Sequence, residues 1–295
     1  MKNICFSFII PHKNNPTLLQ RCVNSIPSRD DIQIIIVDDN SDPKIVDWNA
    51  LKFNASNLDI VFAKENKGAG YARNIGIKHA EGKWLLFADC DDYYLPSLSS
   101  ELDKVKEQSY DVIYFNFELK SADKQKVYGG HKLVSQKILT NQTADYDFIK
   151  YRLNAPWNKI VNHTFLKKHR IYFEETIQGN DMFFTYQVGY FSKNIHIISK
   201  PLYVYNINLN SITFGKTNID KLLCMIKGLY KANNFMLFIG HPEWRVNVKF
   251  TILRLLKKHP SMSFLFLTSL IKESRNIRMC KTYYVDSIKN RRFEV

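Results

Sequence analysis

Short runs of β-branched and aromatic residues alternate with amphipathic stretches through the first half of this chain. Cys5–Ile10, Gln33–Val37, Leu58–Ala63, Trp84–Ala88 and Asp111–Phe117 read as strands, most of them too apolar to have a solvent face. Between them, Pro16–Ile26 sets Leu18, Leu19, Cys22, Val23 and Ile26 on one helical face, and Gly70–Ala80 does the same with Ala72, Ile75, Gly76 and His79. This alternation predicts βαβ units on a mostly parallel sheet, an α/β fold. Ser121 to Thr143 is polar and weakly patterned and predicts a flexible loop or an edge excursion. A second organised block spans Tyr146–Thr213, and the remainder, rich in Leu, Phe and Lys, predicts helices.

Open α/β sheets bind ligands beyond the carboxyl ends of their strands, so the residues standing there carry the chemistry. After the first strand come Pro11, His12, Lys13 and Asn14; after the second, Asp38, Asp39, Asn40 and Ser41; after the fourth, Asp89, Cys90, Asp91 and Asp92. Carboxylates this dense repel one another unless a cation or a hydrogen-bond network holds them. Asp89 and Asp91, two apart, can face one cavity, and Mn²⁺ or Mg²⁺ binds through one or two carboxylates plus substrate phosphates. The same run also reads as a polar loop in which Asp92 caps the helix of YYLPSLSSEL. Asp38 and Asp39 suit a base N–H or a ribose hydroxyl, and equally an Asx turn. In NKGAGYARNIGIKHAEGKW, Gly68 and Gly70 precede a helix bearing Arg73 and Asn74, a combination suited to phosphate oxygens. It is neither a GxGxxG after the first strand nor a Walker sequence, which argues against dinucleotide oxidoreduction and P-loop hydrolysis.

Composition narrows the class. The chain has 295 residues, 45% hydrophobic and 24% charged, enough for one large domain or a domain with an appendage and unlike a disordered chain. Five scattered cysteines without a CxxC pair read as reduced thiols in a cytosolic protein. MKNICFSFII has no small-residue cleavage site after it and reads as a buried first strand rather than a signal peptide. The net charge of +14 is concentrated from Lys216 to Val295, where 16 Lys and Arg face 5 Asp and Glu. That basic region points to an anionic membrane surface ahead of nucleic acid, with a solvated basic face as the plain alternative. Its most apolar run, residues 262–271, is too short to cross a bilayer.

The ordered set FSFIIPHKN, IIIVDDNSD, NKGAGYARNIGIKHAEGKWLLFADCDD, PWNKIVNHTFLKKHRIYFEE, GNDMFF and PLYVYNINLNSIT resembles glycosyltransferase family 2, over roughly residues 4–214. The resemblance implies a GT-A fold, Rossmann-like, over 1–215, with residues 1–120 as the nucleotide-sugar half and 121–215 as the acceptor half. A basic helical region follows over 216–295. By position, it implies that Asp39 contacts base or ribose, that Pro11 and His12 line the nucleotide pocket, and that Arg73 holds the donor. It further places Asp89 near the ribose and metal, Asp91 on a Mn²⁺ or Mg²⁺ ion bridging the diphosphate, and Asp92 behind the loop. Asp181 stands where the family has its catalytic base, and an inverting transfer needs such a carboxylate opposite the leaving group. Trp157 and Asn158, in the WNK element, fall in the acceptor half, where a tryptophan serves as a sugar platform or as core.

Three departures from the family are Asn180 for Glu, His12 for an aromatic residue, and Asn206 for a basic one. The reading is therefore a metal-dependent inverting transferase using a nucleotide-sugar, UDP-sugar by resemblance, and a saccharide or lipid-linked acceptor. It is expected at the inner face of the plasma membrane, where Leu253, Leu256, Phe264, Leu267 and Leu270 would give the basic region an apolar face. Two rivals are a non-catalytic nucleotide-sugar binding module, which would be expected to lack Asp91 or Asp181, and a sugar nucleotidyltransferase. The latter would carry a Gly-rich basic loop where this chain has PHKNNP.

Overall fold

The computed structural model describes residues 3–121, 129–140, 146–207 and 219–246, with single positions at 248, 256 and 260. The chain divides into two compact units, Met1–Gly215 and Lys216–Val295. The first holds strands β1 (Phe6–His12), β2 (Ile32–Asp38), β3 (Leu58–Phe62), β4 (Trp84–Phe87), β5 (Tyr93–Tyr94), β6 (Val112–Ser121), β7 (Lys159–Asn162) and β8 (Ile195–Ile207). Its helices are α1 (Pro16–Asn24), α2 (Ala69–His79), α3 (Leu98–Val105), α4 (Gly129–Leu139), α5 (Tyr146–Tyr151), α6 (His163–His169) and α7 (Asp181–Phe191). In the second unit, α8 (Ile219–Phe238) ends near a 3-10 turn at Pro242–Trp244, and the Asn233 amide ties it to the backbone of Val246. Of the apolar residues expected to contact a membrane, Leu253, Phe264, Leu267 and Leu270 lie outside the described residues. Among the described residues no helix is long and apolar enough to cross a bilayer.

One eight-stranded sheet runs β3-β2-β1-β4-β7-β6-β8-β5. Strands β3, β2, β1 and β4 are mutually parallel, β7 is antiparallel to its neighbours β4 and β6, and β8 runs parallel to β6. The carboxyl ends of β1, β2, β4, β6 and β8 therefore all lie at one edge of the sheet. The chain steps outward from β1 to β3 and returns to β4 on the other side of β1, which opens the ligand crevice typical of such a reversal. Every residue of β1, β2 and β4 is buried, because helices cover both faces of the sheet.

Several expectations change. Strand β1 continues through Pro11 and His12, which pair in register with Val37 and Asp38 instead of starting a loop. Ser121 to Thr143 is not all loop: it contains α4, whose Val134 and Ile138, one turn apart, are fully buried. Helix α2 buries Gly70, Ala72, Arg73, Asn74, Gly76 and Ile77, while His79 is exposed. The apolar stripe missed this face because α2 is covered on two sides. Gly76 meets the sheet, where an added Cβ would lie 2.4 Å from Ile9 Cγ2, and the polar pair Arg73 and Asn74 meets the 173–180 segment.

Candidate functional site

At the end of β2, Asp38 and Asp39 divide their work. Asp38 accepts from the amide (2.9 Å) and hydroxyl (2.5 Å) of Ser41, three residues on, which holds the turn after β2, and from His12 Nδ1 at 2.9 Å. His12 Nε2 accepts from the Asn15 amide at 3.1 Å, so the proton is on Nδ1 and both ring nitrogens are engaged within the protein. The buried His12 ring meets Trp48 edge to face, which shapes the strand end but offers no polar atom to a ligand. Pro11 is likewise buried. Asp39 instead accepts from the amides of Lys67 (3.2 Å) and Gly68 (3.0 Å). Burial pushes its carboxyl above the usual range. Two of its lone-pair directions remain for a further donor.

Beyond β4 the acidic run is held from two sides. From α1, Cys22 Sγ–H reaches the Asp89 carbonyl at 3.7 Å and an Arg21 N–H donates to the Asp91 carbonyl. From β8, the Tyr203 hydroxyl accepts from the Asp89 amide (3.1 Å) and donates to Asp92 Oδ2 (2.8 Å). The Asn206 amide donates to Asp92 Oδ1 at 2.7 Å and its side chain to the Asp91 carbonyl at 3.3 Å. Asp92 is thus the buried anchor of the loop and not the cap of α3, which starts at Leu98 after Ser97. Burial, with Asp89 and Asp91 nearby, pushes the Asp92 carboxyl well up. Asp91 is left half-buried, its carboxyl pushed up to about 6 by burial first and Asp89 second.

The acidic loop connects to the second half of the unit through Arg73. One Arg73 N–H donates to Asp89 Oδ1 at 2.6 Å and another to Asn180 Oδ1 at 2.9 Å, while the guanidinium lies 5.1 Å from the centre of the Phe173 ring. Asn74 bonds the backbone of Phe173 in both directions, at 3.0 and 2.9 Å. Asp181, the next residue after Asn180, opens α7 and is half-buried. Burial raises its carboxyl, Asp89 adds to the shift, and Arg73 and Lys159 oppose it. A carboxylate with a raised pKa beside an acidic loop is suited to taking up a proton. Asp39, Arg73, Asp89, Asp91 and Asp181 are therefore brought to one edge of the sheet.

Trp157 and Asn158 are not brought to an open surface. Trp157 is 2% exposed, stacked on Tyr203 and Tyr205 at 5.1 and 5.2 Å with Phe117 against its edge. Asn158 is fully buried and accepts from Lys159 Nζ at 2.7 Å. No ring face remains for a sugar, so this element acts as the core behind the site. The fully buried Lys159 has its ammonium pushed down to about 7 by burial, despite the opposing pull of Asp181. Sequence reasoning also passed over Tyr203 and treated Asn180 only as a lost charge. The alternation of Tyr203 and Tyr205 in PLYVYN was the available signal for the former, and none was available for the latter.

Among the described residues no three His, Cys, Asp or Glu side chains form a ready metal cage. The residues do fit a hard divalent ion of the kind that keeps most of its shell for water and phosphate. Asp91 is poorly hydrated and crowded by Asp89, and a cation relieves both penalties.

A family model described as glycosyl transferase family 2 matches residues 7–170. The chain is 27% identical over 222 residues to the putative glycosyltransferase EpsH of Bacillus subtilis (strain 168), covering 72% of this chain and 63% of EpsH. It is 26% identical over 215 residues to the GalNAc(5)-diNAcBac-PP-undecaprenol beta-1,3-glucosyltransferase of Campylobacter jejuni, covering 71% and 67%. It is also 27% identical over 209 residues to the poly(ribitol-phosphate) beta-N-acetylglucosaminyltransferase TarS of Staphylococcus aureus (strain MW2), covering 68% and 35%. The crystal structure of S. aureus TarS residues 1–349 in complex with UDP-GlcNAc shares the fold, with a TM-score of 0.63 at 21% identity over 88% of this chain and 73% of that chain. The chain thus spans just under two thirds of EpsH and about a third of full-length TarS.

Proposed function

We propose that this chain, which belongs to glycosyl transferase family 2, is an inverting transferase that moves a sugar from a UDP-sugar to a hydroxyl of a saccharide or lipid-linked acceptor. The observation that carries this reading is the Arg73 bridge. Arg73 joins Asp89, on the acidic loop, to Asn180, the neighbour of Asp181, and Asn180 lies 107 residues from Arg73 in sequence. Donor side and base side are thereby fixed to one guanidinium. The UDP-sugar assignment draws on the ligand in the TarS crystal structure, and the acceptor class on the polymer and lipid-linked names of the relatives.

In the mechanism, Asp39 receives donors of the base or ribose while the amides of Lys67 and Gly68 hold it in place. Asp91, with Asp89 beside it, would hold Mn²⁺ or Mg²⁺, which supplies charge neutralisation for the departing diphosphate. The acceptor hydroxyl attacks the anomeric carbon from the face opposite the diphosphate, and the bond from that carbon to the diphosphate oxygen breaks. The carboxylate of Asp181 takes the hydroxyl proton, so acceptor oxygen and nucleoside diphosphate each end with a complete valence. Arg73 keeps Asp181 near the donor and limits how far burial raises its pKa. The basic region beyond residue 216 fits peripheral residence at an anionic inner membrane face, close to a lipid-linked acceptor.

The test is turnover and binding across UDP-, GDP- and CMP-sugars with Mn²⁺ or Mg²⁺. Metal-dependent release of UDP from one sugar should vanish in Asp91→Ala and Asp181→Ala, with UDP binding retained in Asp181→Ala. Absence of both turnover and metal-dependent nucleotide binding in the native protein would replace this reading with a non-catalytic fold.

A further inference from the structure

Behind the acidic loop, a column of aromatic rings runs to helix α4. The half-buried His131 ring stacks on Tyr205 at 5.3 Å and 6°, and on Trp157 at 6.2 Å and 19°, with the Phe117 ring at right angles 6.3 Å away. Trp157 continues the column, parallel to Tyr205 at 5.2 Å and to Tyr203 at 5.1 Å. Tyr203 ends it. Its ring meets Tyr94 edge to face at 5.0 Å, and its hydroxyl accepts from the Asp89 amide and donates to Asp92 Oδ2. Rings from α4, from the turn before β7 and from β8 thus lead from His131 to both ends of the acidic loop.

The register builds this column. Tyr203 and Tyr205 are two apart on β8, so they share one face, and their partners on β6 are Phe117 and Leu119. Helix α4 packs on the same two strands, with His131 one turn before the buried Val134 on the face that also carries Ile138. Burial pulls the His131 pKa down to about 4, so at neutral pH the ring is uncharged and acts as a flat plate. Parallel plates fix one another's tilt, which an apolar contact alone does not. Tilt matters at Tyr203, because a hydroxyl serving two partners loses both bonds when it moves by about 0.5 Å. We propose that His131 is a positioning residue for the acidic loop. Through Tyr205, Trp157 and Tyr203 it holds Asp89 to Asp92 in the geometry in which Asp91 takes a divalent cation. That the loop takes a cation rests on the transferase reading above, whereas the hold on the loop does not.

The test compares the full chain with His131→Leu, which is apolar but not flat, and His131→Phe, which keeps a flat ring. Hydrogen exchange is read at the amides of Asp89, Asp92 and Asn206, each of which donates a hydrogen bond within or to the loop. In His131→Leu these amides should exchange about fivefold faster, the equivalent of one lost ring pair, while the amides of β2 keep native rates. Mn²⁺ affinity, measured through UDP binding by calorimetry, should fall by a similar factor. His131→Phe should restore both readouts. A role confined to packing α4 would lower the melting temperature of His131→Leu and leave the loop amides at native rates, which would overturn the proposal. Failure of His131→Phe to rescue would overturn it too, as would native Mn²⁺ affinity in a His131→Leu protein that binds UDP. If the native protein binds no UDP with metal, the transferase reading falls, and the exchange rates alone decide whether His131 holds the loop.

Discussion

Gly70 is where packing and chemistry meet most directly. A methyl group there would place its carbon 2.0 Å from the Glu174 carbonyl oxygen and 2.8 Å from Asn180 Cβ, both in the segment that leads into Asp181. Ordinary contact begins near 3.4 Å, so in Gly70→Ala that segment and α2 must separate by more than an ångström. The segment cannot bend locally, since the Glu174 amide bonds the Asn180 carbonyl and the Asn180 side chain bonds the Thr176 carbonyl. It therefore shifts as a unit, stretching the Arg73–Asn180 contact and carrying Asp181 away from the acidic loop. Overpacking costs about 1–3 kcal/mol, and alanine offsets about 1 kcal/mol of that through helix propensity, so the protein stays folded. Misplacing a reacting group by about 1 Å costs about 100-fold in rate, or about 2.7 kcal/mol of barrier. Steady-state donor turnover should fall by about that factor, while calorimetry shows UDP affinity little changed because Asp39 and Asp91 stay in place. A Gly70→Ala protein with native kcat would refute the claim that this contact positions Asp181.

Three further outcomes follow from the same geometry. Tyr203→Phe removes a donor to the buried Asp92 carboxyl and an acceptor for the Asp89 amide, at about 3 kcal/mol; thermal unfolding should drop by about 6–12 °C, with weaker metal affinity measured through UDP binding. With its carboxyl at about 6, Asp91 is neutral in acid, so metal affinity measured through UDP binding should rise with pH up to about 6 and then level off. A flat profile through that window would show that Asp91 is not a ligand. Lys159, pushed down to about 7, binds its proton more readily unfolded than folded, so its contribution to stability rises from neutral pH toward the ordinary lysine range. Lys159→Met should flatten that rise in melting temperature against pH; an unchanged slope would mean the ammonium is solvated.

How much was legible depended on how local the cause was. The strands were legible because two covered faces demand continuous apolar runs, and runs such as FSFII and IIIV admit little else. Their polar ends marked the crevice for the same reason, since a buried strand turns polar where it leaves the sheet. Helix α4 was not legible, because its burial rests on the pair Val134 and Ile138 in an otherwise polar stretch. The buried face of α2 was misjudged because a hydrophobic stripe counts only apolar contacts, and this helix buries an arginine and an asparagine whose partners lie about a hundred residues away.

The sequence by itself determined the α/β class, five of the eight strands and the acidic and basic residues available at their ends, whereas β5, β7 and β8 emerged only in the structure. Those properties depend on side-chain hydrophobicity and spacing, which any short window contains. Only the tertiary structure decided which of those residues work together. It turned Trp157 inward, engaged both nitrogens of His12 and made Asp92 an anchor. It also joined Asp89 to Asn180 through Arg73. Each of these depends on a hydrogen bond, ring contact or helix-to-loop packing between distant segments, which comes into existence only when the sheet brings them to one edge.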